Sequence, residues 1–179
     1  MTDSLPLSAS PDGTARGLRL RDPANLVSSR AISFWTVRAG IGWLALGALQ
    51  VVILIFTDTS SHRSVNEIVL AVTVLLATVH LSVMPRWRYR VHRWELTGTA
   101  CYAQSGWITR QRRIAPLSRI QTVDSERGPL EQLFSLANVT VTTASAAGPI
   151  KIRGLDAGVA DRLVDELSTI TSASTGDAT

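Results

Sequence analysis

The sequence predicts a membrane protein in two parts: a hairpin of two apolar helices, then a mainly-β domain, an antiparallel sandwich or barrel, that ends in an amphipathic C-terminal helix. Three observations carry this. Two apolar blocks, Val37–Phe56 and Val65–Met84, flank the polar run TDTSSHRS, and each has the roughly 20 residues that cross about 30 Å of hydrocarbon. Beyond Trp94 come short runs of β-branched and aromatic residues broken by Gly and Pro, the pattern of strands and turns. After Gly154 the spacing turns helical, with Val159, Leu163, Leu167 and Ile170 on one face that must be buried. The boundaries this implies are a tail over 1–36, the hairpin over 37–84, the β-rich domain over 85–171 and a second tail over 172–179.

Composition agrees with a membrane segment. Hydrophobic residues are 45% of the chain and charged residues 18%, below the roughly 25% charged of soluble proteins. The net charge is +4, and the basic side is almost wholly arginine, with Lys151 the sole lysine. A single cysteine, Cys101, excludes an intramolecular disulfide and a cysteine-based metal site within one chain.

In order along the chain, residues 1–30 are rich in Ser, Pro, Gly and Asp and lack a periodic apolar face. No signal-peptide layout is present. Gly40, Gly42 and Gly47 stand on the first apolar block, where small residues either permit close helix approach or follow the ordinary composition of membrane helices. The second block carries His80, read as an interfacial or hydrogen-bonded structural histidine rather than part of a relay. Pro85 is expected to end that helix. Next comes RWRYRVHRW, in which Arg86, Arg88, Arg90 and Arg93 alternate with Trp87, Tyr89 and Trp94. Arginines directly after a span hold it on the cytoplasmic side, and Trp and Tyr anchor at headgroup level. The loop between the blocks offers only Arg63 against Asp58, so both termini and the β-rich domain are expected in the cytoplasm, at the bacterial plasma membrane. The period of two in Arg86, Arg88 and Arg90 also suits a first strand beginning near Tyr89. Further strands are expected over Thr99–Gln104, Trp107–Ile114, Ile120–Ser125, Asn138–Ala144 and Pro149–Arg153, with a short helix or turn over Leu130–Leu136 and Asp156 as the cap of the last helix.

The segment GWITRQRRIAPLSRIQTVDSERGPLEQLFSLANVTVTT resembles the bacterial PH-like domain of the YdbS type. Its pattern is a Gly-hydrophobic hairpin, a Pro-x-x-Arg-Ile-Gln-x-Val core, a Leu-Phe segment and a Val-x-Val strand. Pro116, Arg119, Ile120, Gln121, Val123, Leu130, Leu133, Phe134, Leu136, Val139 and Val141 fall on it. Ser135 stands where that family usually has Gly, and Gln132 where it often has Arg. The resemblance covers about residues 85 to 170 and implies a PH-like fold, a bent antiparallel sheet or barrel capped at one open end by the C-terminal helix.

No catalytic constellation is visible. His62 lies in the loop between the blocks, His80 in the second block and His92 beside it, so none is paired with a nucleophile within the β-rich domain. Neither a Gly-rich phosphate loop nor a His-Glu-x-x-His helix occurs. No catalytic, cofactor or metal residue is assigned. Cys101 sits in a strand, and no adjacent residue would stabilise a thiolate. The remaining candidate is TRQRR, where Arg110 and Arg112 share one strand face and Arg113 takes the other. Such a pair can grip a phosphate or carboxylate, and it equally suits a solvated strand edge. The sequence therefore leads to a non-enzymatic membrane protein presenting an interaction domain to another membrane protein or a second copy. The alternative is an anionic-lipid sensor built on Arg86, Arg88, Arg90, Arg93, Arg110 and Arg112. Nucleic acid is not expected, because the membrane interface explains the aromatics among the arginines.

Overall fold

The computed structural model describes residues 22–56, 60–107, 109–145 and 148–176. The expected N-terminal tail up to residue 21, and residues 177–179 of the expected C-terminal tail, lie outside these.

Two long helices form the hairpin, α1 (Arg30–Phe56) and α2 (Ser60–Val91). Both are long and apolar enough to cross a membrane. Leu44, Ile55 and Phe56 are 70–80% exposed, which no water-facing helix tolerates in such density and a lipid-facing one requires. Polar side chains join the two helices, although Gln50 Oε1 is buried without a hydrogen-bond partner among the described residues. Gln50 Nε2 donates to Thr73 Oγ1 at 2.9 Å, and that hydroxyl donates to the Val69 carbonyl at 2.9 Å. Trp43 Nε1 donates to His80 Nδ1 at 2.8 Å, so His80 is the hydrogen-bonded histidine that the sequence suggested.

Both helices are longer than expected at their domain ends. The first begins at Arg30 rather than Val37, because Ala31, Phe34 and Trp35 recur at helical spacing and are buried in the β-domain core. The second runs through Pro85 to Val91. Proline removes a single helix hydrogen bond. The residues beyond it offset that loss: Val91 is buried, Tyr89 packs against the core, and Arg86 donates to the Ser82 carbonyl at 2.7 Å. Arg86, Arg88 and Arg90 therefore sit on a helix and not on the first strand.

The β-domain straddles the hairpin. Strand β1 (Asn25–Leu26) precedes α1 and pairs with β2 (Arg93–Leu96), which follows α2. Next to β2 lies β3 (Ala100–Gly106), then β4 (Arg110–Pro116), giving an antiparallel sheet in the order β1-β2-β3-β4. After a 3-10 turn at Leu117–Arg119, a second antiparallel sheet is built from β5 (Ile120–Glu126), β6 (Leu136–Thr143) and β7 (Ile150–Asp156), with the short helix α3 (Pro129–Leu133) between β5 and β6. The final helix α4 (Ala157–Gly176) packs on β5, β6 and β7. Asp156 caps it, accepting from Gly158 N at 3.2 Å. Ile120, Val139, Val141 and Leu163 share the core, with Val123 packed against it. Ser135 has φ 54°; a left-handed backbone here is the physical reason for the glycine that the family usually places at this point.

One contact seats the hairpin on the domain. Gly154 adopts φ 77° on β7, and a Cβ there would lie 3.0 Å from Ala31 Cβ and 3.4 Å from Trp35 Cζ2. Its N–H donates to Asn138 Oδ1 at 3.1 Å, and its carbonyl accepts from Ser28 N at 2.9 Å. Gly154→Ala combines left-handed strain with crowding, a cost of about 1–3 kcal/mol. The melting midpoint of the detergent-solubilised full-length protein is expected to fall accordingly. An unchanged midpoint would mean that α1 is not seated on β7.

Candidate functional site

Where α2 enters the domain, a cavity of about 620 Å³ opens between that helix, the β3–β4 hairpin and β7. Met84, Arg88 and His92 line it at intervals of four residues, as one face of a helix and its exit. From β4 comes Arg113, and from β7 come Lys151 and Arg153. The β7 pattern is regular: Ile150 and Ile152 point into the core, while Lys151 and Arg153 point out. Among the described residues, the lining holds four cations and no carboxylate. No ion pair involves Lys151 or Arg153 among these residues.

Arg88 and Arg113 are held in place. The Arg88 guanidinium lies 4.5 Å from the centre of the Trp35 ring, a cation–π contact. Arg113 donates to the Pro149 carbonyl at 3.0 Å, bridging β4 to the loop before β7. His92 Nδ1 is 2.8 Å from the Arg88 carbonyl; a carbonyl only accepts, so Nδ1 carries the proton in the neutral ring. Burial, with the positive charges of Arg88 and Arg153 acting in the same direction, lowers the His92 pKa to about 4 despite its hydrogen bond to the Arg88 carbonyl. His92 therefore adds no charge to the cavity at neutral pH. Burial likewise pushes the Cys101 thiol up to about 11, so Cys101 is packed and unreactive.

The arginines singled out in the sequence divide between places. Arg88 alone among them lines the cavity. Arg90, Arg93 and Arg110 line a smaller cleft of about 300 Å³ on the other side of α2, together with Asp22 and Trp87. Arg112 pairs with Asp22 and donates through Nε to Gln104 Oε1 at 3.0 Å. Arg110 and Arg112 do lie opposite to Arg113 on β4, but the cavity is on the Arg113 side, next to its cross-strand neighbour Ala103. Arg86 faces out from α2.

Of the expected aromatic anchors, Trp87 is half exposed and donates to the Trp107 carbonyl at 3.0 Å. Tyr89 and Trp94 instead pack against the domain core. Trp107 lies at the β3–β4 tip, beside α2. It is 49% exposed, and its ring lies 6.2 Å from that of His80, roughly 16 Å along α2 from the helix end at the usual rise. Sequence reasoning did not single out Lys151, Arg153 or Trp107 as site residues, and it noted Arg113 in TRQRR only as facing away from Arg110 and Arg112. The period of two in Lys151 and Arg153 was the available signal.

A domain of four- and three-stranded antiparallel sheets closed by a C-terminal helix, mounted on an apolar hairpin, defines the class: a membrane-anchored PH-like protein. A family model described as the bacterial PH domain matches residues 37–170, and the chain belongs to that family. It is similar to the UPF0699 transmembrane protein YdbS of Bacillus subtilis (strain 168), with 28% identity over 153 residues, covering 83% of this chain and 92% of that protein. No solved structure matches it significantly.

The depressed pKa of His92 has a consequence for stability. Above the unfolded value of about 6.5 the ring is neutral in both states; as pH falls toward 4 the unfolded chain gains a proton that the folded one resists. Melting of the solubilised protein is expected to drop between pH 7 and 5.5, before most carboxylates titrate. His92→Asn, with nothing to protonate, is expected to flatten that slope whatever its baseline. Equal slopes in the two proteins would contradict the buried neutral imidazole.

Proposed function

We propose that this chain is a non-enzymatic protein of the bacterial plasma membrane, its termini and PH-like domain cytoplasmic, that holds an anionic lipid headgroup in the cavity at the foot of its hairpin. The observation that carries this reading is the lining: Arg88, Arg113, Lys151 and Arg153 converge without a carboxylate among the described residues. Its position supports a membrane ligand, since Met84 and Arg88 belong to the spanning helix and Trp107 leans against it. Orientation is supported by Arg30 and Arg38 at the start of α1, by Arg86, Arg88 and Arg90 at the end of α2 and by Arg93 just beyond it, against Arg63 at the opposite end. A second reading, in which the domain binds another membrane protein or a second copy, is favoured by β4, the outer strand of its sheet, whose Arg110, Gln111 and Arg112 are exposed.

Each basic residue near an anionic leaflet contributes about 1 kcal/mol, so loss of three lowers affinity by roughly two orders of magnitude. The full-length protein purified in mild detergent is expected to retain anionic phospholipid at about one molecule per chain. Arg113→Gln, Lys151→Gln and Arg153→Gln together should strip it, and Arg110→Gln with Arg112→Gln should not. Equal lipid content in all three proteins, or a stoichiometric protein partner in place of lipid, would overturn the first reading; the latter would support the second.

A further inference from the structure

The charge and size of the cavity narrow the ligand. We infer that it selects a phosphomonoester on a membrane amphiphile, a headgroup of about two negative charges, over the singly charged phosphodiester of ordinary anionic lipids. This rests on the headgroup reading above and goes one step further.

Charge balance comes first. Four cations share one cavity: Arg88, Arg113, Lys151 and Arg153. Cations brought together and partly withdrawn from water repel one another, and one negative charge leaves most of that repulsion in place. A phosphomonoester carries about −1.5 to −2 at neutral pH and offers three acceptor oxygens. Guanidinium groups suit it because their forked donors match phosphate oxygens in pairs. Arg88 and Arg113 are already oriented, by Trp35 and by the Pro149 carbonyl respectively. The exposed ends of Lys151 and Arg153 are the adjustable members.

Size and polarity point to an amphiphile. A volume of about 620 Å³ lies in the range of small-molecule sites and leaves a lone phosphate ion mostly surrounded by water. The lining also contains Met84 and Trp107, one from the spanning helix and one from the tip that leans on it. Those two provide an apolar approach from the bilayer, and Ser105, Thr109 and Gln111 of the β3–β4 hairpin offer hydrogen bonds to a glycerol backbone.

The test uses the full-length protein in nanodiscs of neutral lipid doped with phosphatidic acid, the monoester probe, or phosphatidylglycerol, the diester probe, at equal mole fraction. Lipid retained per chain on release is read by native mass spectrometry. The expected result is a preference for phosphatidic acid of about five-fold or more, the order that one added charge supplies near basic residues, lost in the Lys151→Gln/Arg153→Gln variant. These two side chains are exposed on β7, so that variant keeps its core. Equal retention of both lipids would overturn the monoester inference and leave headgroup binding standing. Retention of neither would overturn both. Displacement of phosphatidic acid by millimolar glycerol phosphate or inorganic phosphate would show a soluble anion site and overturn the membrane source.

Discussion

Everything in this structure hangs on the seating of Trp35 against Gly154. Phe34 and Trp35 are 5% and 4% exposed, although they belong to a helix that continues into the membrane. Phe34 meets Phe134 edge-on at 6.0 Å, and Trp35 meets the ring of His92 at 5.2 Å. The absence of a side chain at Gly154 lets α1 approach β7 that closely. The hairpin is thus not a tether from which a domain swings. It is part of the same core, with β1 on one side of it in sequence and β2 on the other.

The cavity follows from that arrangement. Because α2 must reach β2 without a break, its last turns run down beside β3 and β7, and Met84, Arg88 and His92 face the gap. Trp35, fixed by the first helix, orients Arg88. Arg113 closes the opposite wall by reaching the loop before β7. The cluster of cations is then a product of three elements distant in sequence, held at the junction of membrane and domain. A site of this kind depends on both the hairpin and the sheets, and neither part alone would build it.

The sequence made the architecture readable because its signals are strong and local. Two long apolar blocks, the alternation of β6 and β7, and the stripe of α4 each determine one element with little help from the rest. Element ends were less readable. Ala31, Phe34 and Trp35 lie before the long apolar run, so their helical spacing was hidden in a segment that resembled a tail. Pro85 signalled a stop that tertiary packing overrode. The arginines were visible as residues but not as partners. Arg110 and Arg112 drew attention by sharing a face, and the face of β4 that lines the cavity is that of Arg113, which only the position of α2 and β7 decides. Lys151 and Arg153 carried a period of two, but nothing local announced that α2 would stand opposite them.

The placement of the cavity at headgroup level can be measured directly by the depth of the β3–β4 tip. A spin label on Thr109→Cys in reconstituted full-length protein reads that depth, since native Cys101 is buried and its thiol is pushed up to about 11, leaving it unlabelled. Relaxation by oxygen is expected to exceed that by a water-soluble nickel chelate at residue 109. The reverse is expected for a label on Ser118→Cys, exposed in the 3-10 turn that follows β4. Nickel-dominated relaxation at both positions would place the tip in bulk water, and the cavity would then not face the membrane.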